Sequence, residues 1–88
     1  MNSKGIREYS MIDIRDIVQY IVWQLVEDPA GVKVTAEGEE IRVLVKKSDM
    51  GRVIGKQGKI AKAIRTVVRA AGMRHNQKCN VEIDEIPE

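Results

Sequence analysis

The sequence predicts a small α+β domain in which helices cover one face of a three-stranded sheet. Three observations carry this. An apolar stripe of helical period runs over residues 14–26, and two short alternating runs follow it, with a third near the C-terminus. Between the second and third runs lies a helical stretch interrupted by Gly55 and Gly58. The element order is helix, strand, strand, helix, helix, strand. A chain of 88 residues has room for one domain with a modest core. So small a core leaves little stability in reserve, and a second copy or a partner could supply more.

Residues 1–9 read as a polar, flexible lead-in, and residues 10–88 as the domain. Ser10 is placed to cap the first helix, with Asp13 adding negative charge to its first turn. Ile14, Ile17, Val18, Ile21, Val22, Leu25 and Val26 recur at i, i+3, i+4 and i+7, and the helix ends near Asp28-Pro29. Its many β-branched residues lower helix propensity, but burial of the stripe outweighs that. Tyr20 and Trp23, off the stripe's centre, are expected at the core edge. Val32, Val34 and Ala36 then alternate with polar residues, as do Ile41, Val43 and Val45; the Glu37-Gly38-Glu39-Glu40 turn joins two strands lying on the first helix. Ser48-Asp49 offers caps for a short second helix through Ile54. A longer third helix carries Ile60, Ile64, Val67, Val68 and Ala71 on its apolar side, with Gly72 as the expected stop. Cys79, Val81 and Ile83 alternate in the last strand.

Composition limits the function. No apolar run reaches the ~20 residues of a membrane span, and no secretory signal pattern opens the chain, so a cytoplasmic location is expected. The single cysteine, Cys79, allows neither an internal disulfide nor a cysteine cluster for a metal. His75 is the sole histidine, expected on the surface, while Cys79 is expected as a small core residue. Catalysis has little to build on, and neither an enzyme activity nor a cofactor is expected. The net charge of +2 conceals an uneven distribution. From Ser48 to Lys78 eight basic residues face one acid, Asp49, for a net +7; the remainder holds seven basic and twelve acidic residues, a net −5. An anionic partner fits this segment, as does an ordinary solvated helix face.

The informative stretch is Val53-Ile54-Gly55-Lys56-Gln57-Gly58-Lys59-Ile60. Two glycines three apart between helices allow a tight turn and close approach of another backbone. The following helix aims its free N–H groups and positive dipole end at the same place, and Lys56, Lys59 and Lys62 add charge. Close approach, N–H donors and positive charge together suit a phosphodiester backbone.

This arrangement resembles the KH domain, whose signature is aliphatic-Ile-Gly-x-x-Gly followed by aliphatics at the positions of Ile60 and Ile64; its loop clamps about four backbone nucleotides. The element order resembles the type II form, and the resemblance covers nearly all of the chain after residue 9. The short length and the Gly-Lys-Gln-Gly loop further resemble bacterial stand-alone KH-domain RNA-binding proteins of the KhpA type. The resemblance implies single-stranded RNA as partner and a role as a broad-specificity RNA chaperone or post-transcriptional regulator. It also implies association as a homodimer or with a multidomain KH protein of the KhpB (Jag) type. The expected RNA-binding residues are Gly55, Lys56, Gln57 and Gly58 in the loop, with Arg52, Ile54, Lys59, Ile60 and Lys62 around it. Val43 is a further groove candidate, while Ile64 and Val67 are expected in the core. Aromatic residues make up only 3% of the chain and none stands near the loop, so stacking worth ~1–3 kcal/mol per base is missing there. Weak binding with broad sequence tolerance follows, and paired domains would add avidity.

Two other readings compete. A helix-turn-helix would place the third helix in the major groove of duplex DNA, but that helix offers no Asn or Gln to read adenine. A protein-interaction or dimerisation module would use the apolar loop region and Trp23. A P-loop is excluded because Val53 stands where its first glycine belongs and Ile60 where it needs Ser or Thr.

Overall fold

A computed structural model describes residues 14–87. The expected cap at Ser10, Asp13 and the lead-in over residues 1–9 lie outside the described residues. Helix α1 spans Ile14–Leu25, followed by strands β1 (Lys33–Glu37) and β2 (Glu40–Val45). Helices α2 (Met50–Ile54) and α3 (Lys59–Arg74) come next, and strand β3 (Asn80–Glu85) ends the fold. The α+β architecture and element order match the sequence reading.

The sheet runs β1-β2-β3, with β1 antiparallel and β3 parallel to β2. A parallel pair needs a long crossover, and residues 46–79 supply it through α2 and α3. This connection leaves the C-terminal end of β2 and returns to the start of β3. The loop between α2 and α3 therefore sits near the C-terminal ends of the parallel strands, where α2 also contacts β3.

Period-two alternation assigns the faces. Val34 of β1, Ile41, Val43 and Val45 of β2 and Val81 of β3 are buried against the helices. From the helices come Ile14, Val18, Val22, Val53, Ile64 and Val68. The largest fully buried side chains are six valines, each contributing at least ~1.5 kcal/mol on burial. The opposite face of the sheet carries Glu37, Glu40, Glu82 and Asp84 with Lys33 and Arg42, and Arg42 pairs with Glu82 at 3.3 Å. Acid thus gathers behind the sheet and base on the helices in front.

Five local expectations change. Tyr20 is 64% and Trp23 42% exposed, so neither is a core-edge residue. Ala36 lies exposed at the tip of the hairpin. Val67 is 45% exposed because the buried arc of α3 is narrow, centred on Ala61, Ile64, Val68 and Gly72. The helix does not stop at Gly72; it runs to Arg74 and closes with Asn76 at φ 56°, the Asn76 N–H donating to Met73 O and the Gln77 N–H to Gly72 O at 2.7 Å. That is a Schellman closure with asparagine in the left-handed position. Gly72 serves a different purpose, since a Cβ there would stand 2.6 Å from the Gln77 carbonyl oxygen. It lets the returning chain lie flat on the helix.

The fifth concerns Asp49. It stands at the N-cap of α2 but makes no side-chain cap bond. Its carboxylate, only 2% exposed, instead accepts hydrogen bonds from the backbone N–H groups of Glu27 (3.1 Å) and Asp28 (3.4 Å) and pairs with Arg52 Nε at 3.3 Å. One buried acid thereby ties the end of α1 to the start of the loop-bearing helix pair. Beside it Lys46 Nζ meets Asp28 Oδ2 at 2.6 Å, with the lysine stem lying over Gly31. His75 is exposed and Cys79 is partly buried against the core.

Candidate nucleic-acid interface

The loop is built by three consecutive backbone decisions. The Gly55 N–H donates to Gly51 O at 2.9 Å, completing α2, and Gly55 then turns to φ 77°, ψ 173°. That region is open to glycine almost alone. Gln57 at φ 57°, ψ 25° and Gly58 at φ 74°, ψ 13° are successive left-handed residues, and the Gly58 N–H closes the turn on Gly55 O at 3.1 Å. Helix α3 then begins at Lys59.

The two glycines have different jobs. A Cβ on Gly55 would stand 2.6–2.9 Å from three side-chain atoms of Ile60, so the isoleucine fills the space beneath the turn. A Cβ on Gly58 would meet nothing within 4 Å. Gly55 is therefore the packed inner side of the loop, and Gly58 the open outer side where another backbone can approach.

Electrostatics point the same way. No side chain caps α3, and its first turn contains no acid. The residues there are Lys59 and Lys62, with Lys56 just before them; all three are exposed, as is Gln57. Lysines at the positive end of a helix dipole each cost ~0.3–1 kcal/mol of stability. An anion bound at this end would relieve that repulsion while using the free N–H groups.

The remaining expected site residues divide. Ile54 is half-buried at the end of α2, directly before the loop. Ile60 is partly buried, packed against the core and supporting Gly55. Arg52 directs its guanidinium at Asp49 and, at 3.1 Å, at Glu27, so its charge is already engaged. Val43 has no exposed surface and cannot line a groove. Ile64 is core as expected.

Arg65 and Arg69, which stand outside the expected RNA-binding set, continue the basic flank of α3 beyond Lys62. Arg65 Nε donates to Val81 O at 3.4 Å, which turns that flank of α3 toward the edge strand β3. Lys62, Arg65 and Arg69, at i, i+3 and i+7, follow this one flank away from the loop. Their spacing was visible in the sequence, but the face it occupies depends on where β3 lies. Among the described residues no group of three or more His, Cys, Asp or Glu is placed to hold a metal ion, and no helix is long and apolar enough to cross a membrane.

Comparison with known proteins identifies the family. The family described as "KhpA/KhpB, KH domain" matches residues 15–83. "RNA-binding protein KhpA" of Clostridium perfringens is 50% identical over 74 residues, covering 80% of this chain and 99% of the relative. Its namesake in Bacillus subtilis is 45% identical over 74 residues, covering 80% and 91%; that of Aquifex aeolicus is 39% identical over 79 residues, covering 85% and 100%. Among solved structures, Era in complex with MgGDPNP and nucleotides 1506–1542 of 16S ribosomal RNA superposes with a TM-score of 0.59 at 17% identity, over 85% of this chain and 31% of Era. That likeness speaks for the fold. With a match over residues 15–83 and relatives of near-equal length, the chain belongs to the KhpA/KhpB KH-domain family.

Proposed function

We propose that this protein binds single-stranded RNA, holding the sugar-phosphate backbone against Gly55, Lys56, Gln57 and Gly58. The carrying observation is the open side of Gly58 beside an uncapped, lysine-flanked helix N-terminus. A phosphodiester is the ligand that uses all three features together. Lys56, Lys59 and Lys62 supply phosphate contacts, Ile54 lines the groove, and Ile60 acts mainly by supporting the turn. Arg52 reaches RNA only by leaving Glu27. The names of the relatives support this reading, as does the RNA in the Era complex.

Phosphate contacts set affinity and salt dependence, whereas base edges set sequence choice. A loop of this kind grips the backbone and reads few bases. The corresponding role is a broad-specificity RNA chaperone or post-transcriptional regulator, working in the cytoplasm and with a partner. The partner is a second copy or a KhpB (Jag)-type protein. Tyr20, Trp23 and Val67, exposed on α1 and α3, favour such a protein-interaction role alongside RNA binding.

The test is the salt dependence of binding to an unpaired oligouridine. Each phosphate contact contributes about −0.7 to the slope of log K against log salt. Lys56→Gln, Lys59→Gln and Lys62→Gln should each flatten the slope by about that amount while the fold is retained. An unchanged slope in all three variants would remove the loop from the interface.

A further inference from the structure

A second feature lies at the far end of α3. Between the Schellman turn and the start of β3 there is a pocket of about 290 Å³ lined by Arg69, Met73, Gln77, Lys78, Cys79 and Asn80. Its shape follows from the local backbone: Asn76 reverses the chain, and Gly72 allows Gln77 to Cys79 to lie against the helix. Met73, 76% exposed, forms one apolar wall. The partly buried Cys79 lies on the strand side. Arg69 and Lys78 put two positive charges on the rim. The Asn80 side chain turns to the opposite face of the sheet, where its amide donates to Glu40 Oε1 at 3.2 Å.

We infer that this pocket takes a nucleobase of the same RNA strand that the Gly55–Gly58 loop holds. The inference rests on the loop reading and extends it. Two arguments select this occupant. The cation flank Lys62, Arg65 and Arg69 leads from the loop to the pocket along α3, whose ~1.5 Å rise per residue puts Arg69 about 16 Å from Gly58. A backbone following those charges arrives at the rim with its bases free. The pocket then offers what a base requires: a polarizable thioether to lie against, a guanidinium plane, and the Gln77 amide for its edge. Met73 here does the work that the missing aromatic residues would do. The bound strand is accordingly longer than the four nucleotides of the loop alone.

The test uses the full chain, with methionine methyl and side-chain amide signals followed by NMR. Oligouridines of four and eight nucleotides are titrated into the wild type and into Met73→Ser. Because Met73 is exposed, the variant should keep its fold, and an unchanged melting temperature verifies this. The four-mer should shift only the amides of Gly55 to Lys59. The eight-mer should also move the Met73 methyl and the Gln77 side-chain amide. Its affinity for Met73→Ser should drop about three- to tenfold, with four-mer affinity unchanged. An eight-mer that leaves the Met73 methyl unmoved, or that binds both proteins equally, overturns the pocket and spares the loop. If neither oligonucleotide moves Gly55 to Lys59, both readings fall.

Discussion

Replacing the two loop glycines by alanine one at a time should give two distinct outcomes. At Gly55 the new Cβ would stand 2.6 Å from Ile60 Cγ1 and 2.9 Å from its Cβ and Cδ1, and φ 77°, ψ 173° excludes most side chains. The backbone strain costs about 1–3 kcal/mol and the overpacking about 1–3 kcal/mol. Loss of glycine's freedom in the unfolded chain returns about 0.4–1 kcal/mol. The net is roughly 3 kcal/mol, a large share of the stability of so small a domain. At Gly58 the space is empty, and only the left-handed φ of 74° is unfavourable. That costs about 1–2 kcal/mol before the same return, leaving about 1 kcal/mol or less. With ~4–8 °C of melting temperature per kcal/mol in a domain of this size, Gly55→Ala should lower the midpoint by more than 10 °C and Gly58→Ala by only a few degrees. Thermal unfolding followed by circular dichroism measures both. Ile60→Ala removes Cγ1 and Cδ1, so Gly55→Ala should cost less in that background. Equal midpoints for the two alanine variants, or additivity with Ile60→Ala, would refute the division into a packed and an open glycine.

Other expected outcomes follow from the same geometry. Lys59→Glu removes a cation from the positive end of α3 and adds an anion there, which should raise stability by about 1 kcal/mol in chemical denaturation while weakening RNA binding. Asp49→Ala leaves the N–H groups of Glu27 and Asp28 and the Arg52 guanidinium without their acceptor, and should cost about 2–4 kcal/mol, measured by urea unfolding. The hydrogen bond and charge of Lys46 hold Asp28 below its ordinary 3.8, and Asp28 in turn holds Lys46 above its ordinary 10.5. The Asp28 contribution is therefore present above about pH 3.8 and lost as pH falls through its lower folded value; the Lys46 contribution is present below about pH 10.5 and lost as pH rises through its higher one. In Lys46→Met the Asp28 carboxyl should titrate higher than in the wild type by NMR.

What the sequence could reveal depended on whether a feature was local. The stripe from Ile14 to Val26, the alternation from Ile41 to Val45 and the glycine pair are patterns within a few residues, and the structure realises each. Asp49 was misread because Ser-Asp before a helix is a local cap signal. Its actual partners lie 21 and 22 residues earlier, at a place only the fold brings near. Gly72 was misread for a related reason: glycine near a helix end suggests a stop, whereas here it makes room for a chain that returns. Val43 could not be told from a groove residue by alternation alone, since alternation assigns a face without saying what covers it. Val67 and Tyr20 show the converse, apolar residues at a stripe's margin that the neighbouring helix leaves uncovered. Within the loop the glycine pattern was legible, but its division of labour depends on the contact between Gly55 and Ile60.

The central claim is that the open side of Gly58 receives an RNA backbone. Its most direct test is fluorescence anisotropy with an unpaired RNA and a DNA duplex, comparing the wild type with Gly58→Asp. Aspartate tolerates the left-handed conformation and has room there, so the fold should persist while its bulk and charge block the approach. The account predicts that the wild type prefers the unpaired RNA and that Gly58→Asp loses at least tenfold in affinity with circular dichroism unchanged. Equal RNA affinity in the two proteins, or a preference for the duplex, would contradict it.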